Sequence, residues 1–183
     1  MRKLLYFCMA FTLFSLFACA ESEQQRIARL TQEWTGKPIY VPADSVFESF
    51  ETDSIRKYSL KRAEYTIVTY VDSNSCTNED LKLTEWKEFL ASFQSATKGK
   101  ATCLFFFHPE SRQQMVHTLR TSDFNYPVCI DEDNIYYKLN RFPSDSLFNT
   151  FLIDKDYKVV AMGNPVRDPK IKELYLDIIT GKS

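Results

Sequence analysis

From residue 65 onward, short apolar runs alternate with segments in which apolar residues recur every three or four positions. Runs rich in β-branched and aromatic residues predict strands at 65–71 and 101–107. Between them, the apolar residues from Leu83 to Phe93 fall on one face of a helix. Strand, helix and strand in this order are typical of parallel strands joined by a crossover helix.

The second half of the chain continues the alternation. A weaker helix is predicted at 110–122, followed by an extended segment at 126–131 and a helical turn at 133–140. The last part predicts a hairpin of 149–154 with 158–162 and a final helix over 171–179. We therefore predict an α/β fold with a central mixed β-sheet flanked by helices.

The region before residue 65 is less regular. Ile27, Leu30 and Trp34 are spaced as on one face of a short amphipathic helix within 22–34. Gly36 and Pro38 then end this helix. Residues 43–64 mix charged residues and serines with scattered apolar ones. We expect this stretch to be irregular structure that covers the domain.

The first residues have the pattern of a bacterial export signal. Arg2 and Lys3 precede an apolar run that is too short for a membrane span of ~20 residues. The run ends in Ala18-Cys19, which resembles a lipobox, with the bulky Phe17 as a departure from it. The resemblance implies a signal peptide at 1–18 and a lipid anchor on Cys19. Together with the pattern of elements, this divides the chain into the signal peptide, a segment over 19–64 with the lipid anchor, the short helix and an N-terminal extension, and a domain over 65–183. The resemblance also implies a lipid-anchored location in the bacterial cell envelope, periplasmic or outer-membrane, with the membrane as a partner through the lipid.

Net charge and cysteine content limit which partners and which thiol chemistry we expect. The formal net charge of -1 gives no excess of Lys and Arg, so we expect no nucleic acid partner. Of five cysteines, Cys8 leaves with the signal and Cys19 carries the lipid, so Cys76, Cys103 and Cys129 remain. An odd number in an oxidising compartment implies at least one free thiol or a bond to another molecule.

The order of elements resembles the thioredoxin fold. Residues 126–131 (YPVCID), 150–156 (TFLIDKD) and 159–160 (VV) resemble the branch called alkyl hydroperoxide reductase/thiol-specific antioxidant-like. This branch includes periplasmic thiol-disulfide oxidoreductases, and the resemblance extends from about Tyr65 to Thr180. It implies a thioredoxin-like fold and a redox site where the first strand passes into the first helix.

At that place the chain departs from the active pattern in two ways. Active members carry Cys-x-x-Cys, whereas here Cys76 is followed by Glu79 at the position of the resolving cysteine. A carboxylate cannot resolve a mixed disulfide. Active members also carry a cis-proline before the hairpin strand, but Phe148 or Asn149 stands there, next to Thr150 in the implied substrate groove. We therefore expect a degenerate redox site.

Cys76 is the tentative catalytic residue, and two opposing effects act on it. A helix N-terminus favours the thiolate, while Glu79 and Asp80 oppose it, so we expect a thiol that is only modestly activated. Cys103 lies among apolar residues and is expected to be a buried structural thiol. Cys129 is left open as a resolving partner for Cys76, if their Cα atoms approach within ~7 Å.

No cofactor is expected, and the spacing of His108 and His117 gives no metal site. Tyr136, Tyr137 and Phe142 are interpreted as a rim that suits a protein or peptide partner at the Cys76 face. Three hypotheses follow: a redox-degenerate binding or accessory module, a monothiol disulfide oxidoreductase or thiol-dependent reductase using Cys76, and a purely structural envelope component.

Overall fold

The computed structural model describes residues 23–51, 54–59, 63–73, 76, 81–143 and 148–182. Within them it contains five helices and seven strands. The helices are α1 (Glu23–Trp34), α2 (Leu83–Thr97), α3 (Arg112–Thr121), α4 (Ile135–Asn140) and α5 (Pro169–Thr180). The strands are β1 (Phe47–Phe50), β2 (Ile55–Tyr58), β3 (Tyr65–Val71), β4 (Ala101–Phe107), β5 (Val128–Ile130), β6 (Thr150–Asp154) and β7 (Val159–Met162).

All seven strands form one mixed sheet in the order β2-β1-β5-β4-β3-β6-β7. Strands β3, β4 and β5 are parallel, while β6, β7, β1 and β2 join as antiparallel neighbours. The predicted mixed sheet with flanking helices is therefore confirmed. Because β3, β4 and β5 are parallel, their carboxyl ends meet at one edge of the sheet.

Side chains alternate between the two faces of the sheet. Phe105 and Phe107 of β4 belong to a core that also contains Trp86 and Phe93 of α2, Met115 of α3 and Tyr175 of α5. Phe106 points to the opposite face, where its ring stacks on Tyr136 of α4 with centroids 3.8 Å apart. Helices α2, α3 and α5 thus cover one face, and α4 covers the other.

The prediction that Tyr136, Tyr137 and Phe142 form a rim is wrong for two of the three. Tyr136 and Phe142 are buried, and Phe142 contacts the rings of Trp34, Tyr70 and Phe151. The aromatic side chains that cover this face are part of the core. Their periodicity could not reveal this, because a short helix with aromatic residues has the same pattern whether it packs inward or lines a rim.

The expectation that 43–64 is irregular is also wrong. This stretch contributes β1 and β2, and β1 pairs with β5 through Glu48 and Val128. Phe47 and Phe50 are fully buried, whereas all four residues of β2 are exposed. The strands are only four residues long, so alternation along the sequence was too short to predict them.

The chain divides into two compact units, residues 1–33 and 34–183. The predicted N-terminal helix is confirmed as α1, which accounts for the described part of the first unit. In the second unit, the segment after Trp34 runs along the outer edge of β7, with hydrogen bonds from Gly36 to Val159 and from Ile39 to Tyr157. Among the described helices, none is long and apolar enough to cross a membrane. The predicted signal peptide and Cys19 lie outside the described residues.

Candidate functional site

The candidate site lies at the edge of the sheet where the parallel strands end. Val71, Phe107 and Ile130 are the last residues of β3, β4 and β5, and they are aligned across the sheet. The chain then continues into Asp72 and, a few residues later, Cys76. Strand β6 starts from the same edge, because the amide of Tyr70 donates a hydrogen bond of 2.9 Å to the carbonyl of Asn149. The fold thus places residues 72–73, 76, 108–111, 131–134 and 148–149 around one edge.

Cys76 is partly buried against the core face of the sheet. Its Sγ lies 4.0 Å from the carbonyl oxygen of Val71, which is a weak contact. Burial, and secondly the negative charge of Asp72, raises the pKa of the Cys76 thiol to about 12. The expectation of a modestly activated thiol is therefore wrong, because loss of hydration and a neighbouring carboxylate both disfavour the thiolate.

The first helix after β3 that is described in full is α2. Helix α2 begins at Leu83, and its N-cap residue Lys82 has the left-handed backbone conformation with φ 53°. Residues 77–80, which follow Cys76, lie outside the described residues, so the expected helix N-terminus at Cys76 stays a prediction. Glu79 lies outside the described residues, so its place at the resolving position stays a prediction.

Cys76 opens onto a groove of about 960 Å³ that runs along α3. The groove is lined by Ser73, Cys76, Pro109, Glu110, Ser111, Gln113, Gln114, Met115, His117 and Thr118. Sequence analysis did not assign the groove-lining residues of α3 to the site, because more than thirty positions separate them from Cys76. The signal that could have found them is topological: α3 follows the carboxyl end of β4, next to the end of β3.

The three residues predicted for a substrate groove lie inside the protein. Phe148, Asn149 and Thr150 are buried, and the Thr150 hydroxyl lies 3.3 Å from that of Thr69. Among the described residues, the backbone has no cis peptide bond. The Asn149 Oδ1 atom is buried without a hydrogen-bond partner in the described part of the chain. The role of Phe148, Asn149 and Thr150 in binding a substrate stays a prediction. The burial of all three side chains does not favour it.

Cys129 is on the other face of the sheet from Cys76. It aligns with Phe106, whose neighbours Phe105 and Phe107 belong to the core that contacts Cys76. Because adjacent side chains alternate across a strand, the sheet separates the two thiols, and they are free in this structure. Burial is also the first cause that raises the pKa of Cys129, to about 11. The geometry disfavours Cys129 as a resolving partner.

The remaining candidate residues are Cys103, His108 and His117. Cys103 packs against the core, and burial raises its pKa, as expected for a structural thiol. The Nδ1 atom of His108 lies 2.9 Å from the carbonyl oxygen of Asp131 and so ties the end of β4 to the end of β5. His117 lines the groove. Within the described ranges, no group of three or more His, Cys, Asp or Glu side chains is placed to hold a metal ion.

Comparison with known proteins supports the fold. No protein-family model matches the chain, and no curated protein matches it in sequence. Among solved structures, it is similar to a cysteine-to-serine mutant of PrxQ from Xylella fastidiosa, with a TM-score of 0.53 and 17% identity over 80% of this chain and 95% of the other.

Two further solved structures have the same architecture. A candidate thiol:disulfide interchange protein DsbE from Chlorobium tepidum matches with a TM-score of 0.53 and 12% identity, over 79% of this chain and 97% of the other. An uncharacterized conserved protein from Geobacillus kaustophilus matches with a TM-score of 0.57 and 12% identity, over 80% of this chain and 82% of the other. The chain has a thioredoxin-like fold, structurally close to peroxiredoxins and DsbE.

Proposed function

We propose that this chain is a lipid-anchored, thioredoxin-like protein of the bacterial cell envelope that binds a protein or peptide partner at the Cys76 face and no longer performs dithiol-disulfide turnover. One observation carries the proposal: Cys76 borders the groove as a free thiol whose pKa is raised to about 12. Turnover requires a thiolate nucleophile and a second thiol that resolves the mixed disulfide. In this chain the first is disfavoured, and Glu79 occupies the sequence position of the second.

The groove itself supports binding as its remaining activity. Its wall along α3 presents side chains that donate and accept hydrogen bonds, among them Ser111, Gln113, Gln114 and Thr118. An extended peptide exposes unpaired amide and carbonyl groups that such side chains can satisfy. A groove of this composition suits a polar peptide segment better than a small apolar ligand.

The alternative is a monothiol enzyme. The similar solved structures include a cysteine-to-serine mutant of PrxQ and a candidate thiol:disulfide interchange protein, and the second name describes thiol chemistry. For this chain, such an enzyme would use Cys76 as the nucleophile and an external thiol as the resolver. Against it stands the environment of Cys76, which stabilises the thiol form rather than the thiolate.

Alkylation of Cys76 separates the two functions. The protein of residues 19–183 is treated with iodoacetamide, a neutral reagent, between pH 6 and 10.5, and modification at each cysteine is followed by mass spectrometry. We expect slow alkylation of Cys76 that is still rising at pH 10, because the folded thiol ionises far above the ordinary value of ~8.5. Cys129 in the same sample is the internal control for a buried thiol.

A fast reaction that levels off below pH 8.5 would instead support the monothiol enzyme. The two functions also differ in turnover of a model disulfide such as insulin. Reduction that is lost in Cys76→Ser but retained in Cys103→Ser would contradict the binding module. Attachment of the lipid is tested separately by metabolic labelling with a palmitate analogue, which Cys19→Ser should abolish.

A further inference from the structure

The sheet has two edge strands, β2 and β7, and they differ in composition. An edge strand exposes amide and carbonyl groups that a strand of another molecule can pair with. In β2 all four residues are exposed, and two of them are the basic residues Arg56 and Lys57. Charged side chains on an edge strand disfavour its pairing with a further strand. The β2 edge is therefore protected by its own sequence.

Strand β7 has no such protection in its sequence. Its four residues, VVAM at 159–162, include no charged or polar side chain. Valine is among the residues that favour β-strands, and an uncovered apolar edge of this kind is a site of association between molecules. The protection of this edge comes from residues 36–39, here called the strap, which run along its outer side.

Three backbone hydrogen bonds join the strap to the hairpin of β6 and β7. The amide of Gly36 donates to the carbonyl oxygen of Val159 at 2.8 Å, and the amide of Val159 donates to that of Lys37 at 2.9 Å. The amide of Ile39 donates to the carbonyl oxygen of Tyr157, also at 2.8 Å. These bonds use the amide and carbonyl groups at the outer edge of the hairpin that a strand of another molecule would need.

The strap also ends the sheet, because Pro38 lies in its middle. Pro38 faces Lys158 across an antiparallel bridge, and the neighbours of these two residues make the hydrogen bonds on either side. In such a non-hydrogen-bonded pair, the main-chain groups of each residue point away from the other strand. The outward position of the strap is thus held by a residue without an amide hydrogen, so a further strand finds no donor there.

Two buried side chains hold the strap in place. Trp34, just before it, contacts the rings of Phe142 and Phe151, with centroids 5.8 and 5.0 Å away. Ile39, at its end, is only 2% exposed, whereas residues 36–38 are exposed. The strap is therefore fastened by apolar side chains at both ends and by main-chain hydrogen bonds between them.

We propose that the strap prevents the chain from pairing with a second copy of itself through β7. This inference goes beyond the binding function proposed for the Cys76 face and does not depend on it. When the strap is displaced, two β7 strands pair antiparallel about a twofold axis, because identical edges satisfy each other's amide and carbonyl groups in that arrangement. The two sheets then form one continuous sheet across a dimer.

Proline at position 36 tests the strap with little effect on the core. Gly36→Pro removes the amide that donates to Val159 and excludes the φ of 80° observed there. Gly36 is exposed, and a Cβ at this position meets no atom within 4 Å, so no packing is lost. Gly36→Ala is the matched control, because it retains the amide. Adding Ile39→Pro to Gly36→Pro removes a second hydrogen bond and opens the strap further.

The variants are made in the protein of residues 19–183 with Cys19→Ser, which carries no lipid, and are kept under reducing conditions. Hydrogen exchange at the amide of Val159 measures opening of the strap, and analytical ultracentrifugation measures the mass. We expect the parent protein and Gly36→Ala to be monomeric. In the proline variants, exchange should be faster and the mass should rise with concentration toward about twice that of the monomer. Val160→Lys, which places a charge on β7, should restore the monomer.

Two results would overturn the inference. A proline variant that exchanges fast at Val159, is folded by circular dichroism and stays monomeric shows that the strap does not prevent self-association. A dimer that persists after Val160→Lys shows that another surface of the chain is responsible. Cys76 takes no part in either measurement, so failure here leaves the proposed binding function unaffected.

Discussion

Two buried tyrosines differ in how their hydroxyl groups are satisfied. Tyr175 donates a hydrogen bond of 2.8 Å to the carbonyl oxygen of Gly163. Tyr136 is equally buried, but within the described residues its hydroxyl has no hydrogen-bond partner. A buried hydroxyl without a partner loses its hydration and regains nothing. The ring of Tyr136 therefore stabilises the fold by stacking on Phe106, while its unpaired hydroxyl destabilises the fold.

We predict that Tyr136→Phe stabilises the protein by ~1 kcal/mol, because it removes the unsatisfied hydroxyl and keeps the stacked ring. Tyr175→Phe is the matched control and should destabilise it by about 1–2 kcal/mol. Urea unfolding of both variants and the wild type measures the difference. Equal destabilisation by the two changes would show that a buried water satisfies the hydroxyl of Tyr136.

At the scale of elements, the connection from β7 to α5 depends on one glycine. Gly163 has φ 123°, and a Cβ added there would lie 3.0 Å from the side chain of Ile171 in α5. Its amide donates a hydrogen bond to Thr150 of β6, and its carbonyl accepts one from Tyr175. The glycine thus permits a backbone conformation that joins the hairpin to the last helix.

Gly163→Ala should destabilise the protein by roughly 2–4 kcal/mol, since it adds both backbone strain and a close contact. Gly99→Ala separates the two causes: Gly99 also has a positive φ of 79°, but the space around it is open. We expect Gly99→Ala to lower the free energy of unfolding by about 1 kcal/mol. Thermal and urea unfolding of the two variants test this, and similar losses would mean that Ile171 moves aside without cost.

At the scale of the whole molecule, the interior holds several groups that are stable only when neutral. Burial raises the pKa of Cys76 to about 12 and that of Cys129 to about 11, and it also raises the pKa of Cys103, Tyr70 and Tyr175. Such groups keep their protons in the folded state while the unfolded chain has already lost them. Their contribution to stability is complete below the unfolded pKa and is lost as pH rises toward the folded pKa.

We therefore predict that the free energy of unfolding falls as pH rises above about 9, by at most ~1.4 kcal/mol per pH unit for each thiol. Urea unfolding at pH 7.5, 9 and 10 under reducing conditions gives the slope. Cys129→Ala removes one of these thiols, so the free energy of unfolding should fall less steeply with pH, by at most ~1.4 kcal/mol per pH unit. This change in slope is expected whatever the effect of the substitution on stability at pH 7.5. A free energy of unfolding that does not change over this range would contradict the burial of these groups.

The sequence alone determined the elements from residue 65 onward, because each has a local signal that survives without its neighbours. The apolar strands 65–71 and 101–107 and the helix through Phe89 and Phe93 were all predicted, and with them the thioredoxin-like order. Cys76 could be identified as the candidate cysteine because the pattern around it is also local.

Tertiary structure decided what depends on contacts between distant residues. Strand β1 joins the sheet by pairing with β5, and Tyr136 is buried against Phe106 of β4, Tyr70 of β3 and Phe142. The pKa of Cys76 depends on burial, and its groove depends on α3, which lies far along the chain. Solvation and electrostatics depend on distance in space, so the identity of Cys76 was readable in the sequence and its reactivity was not.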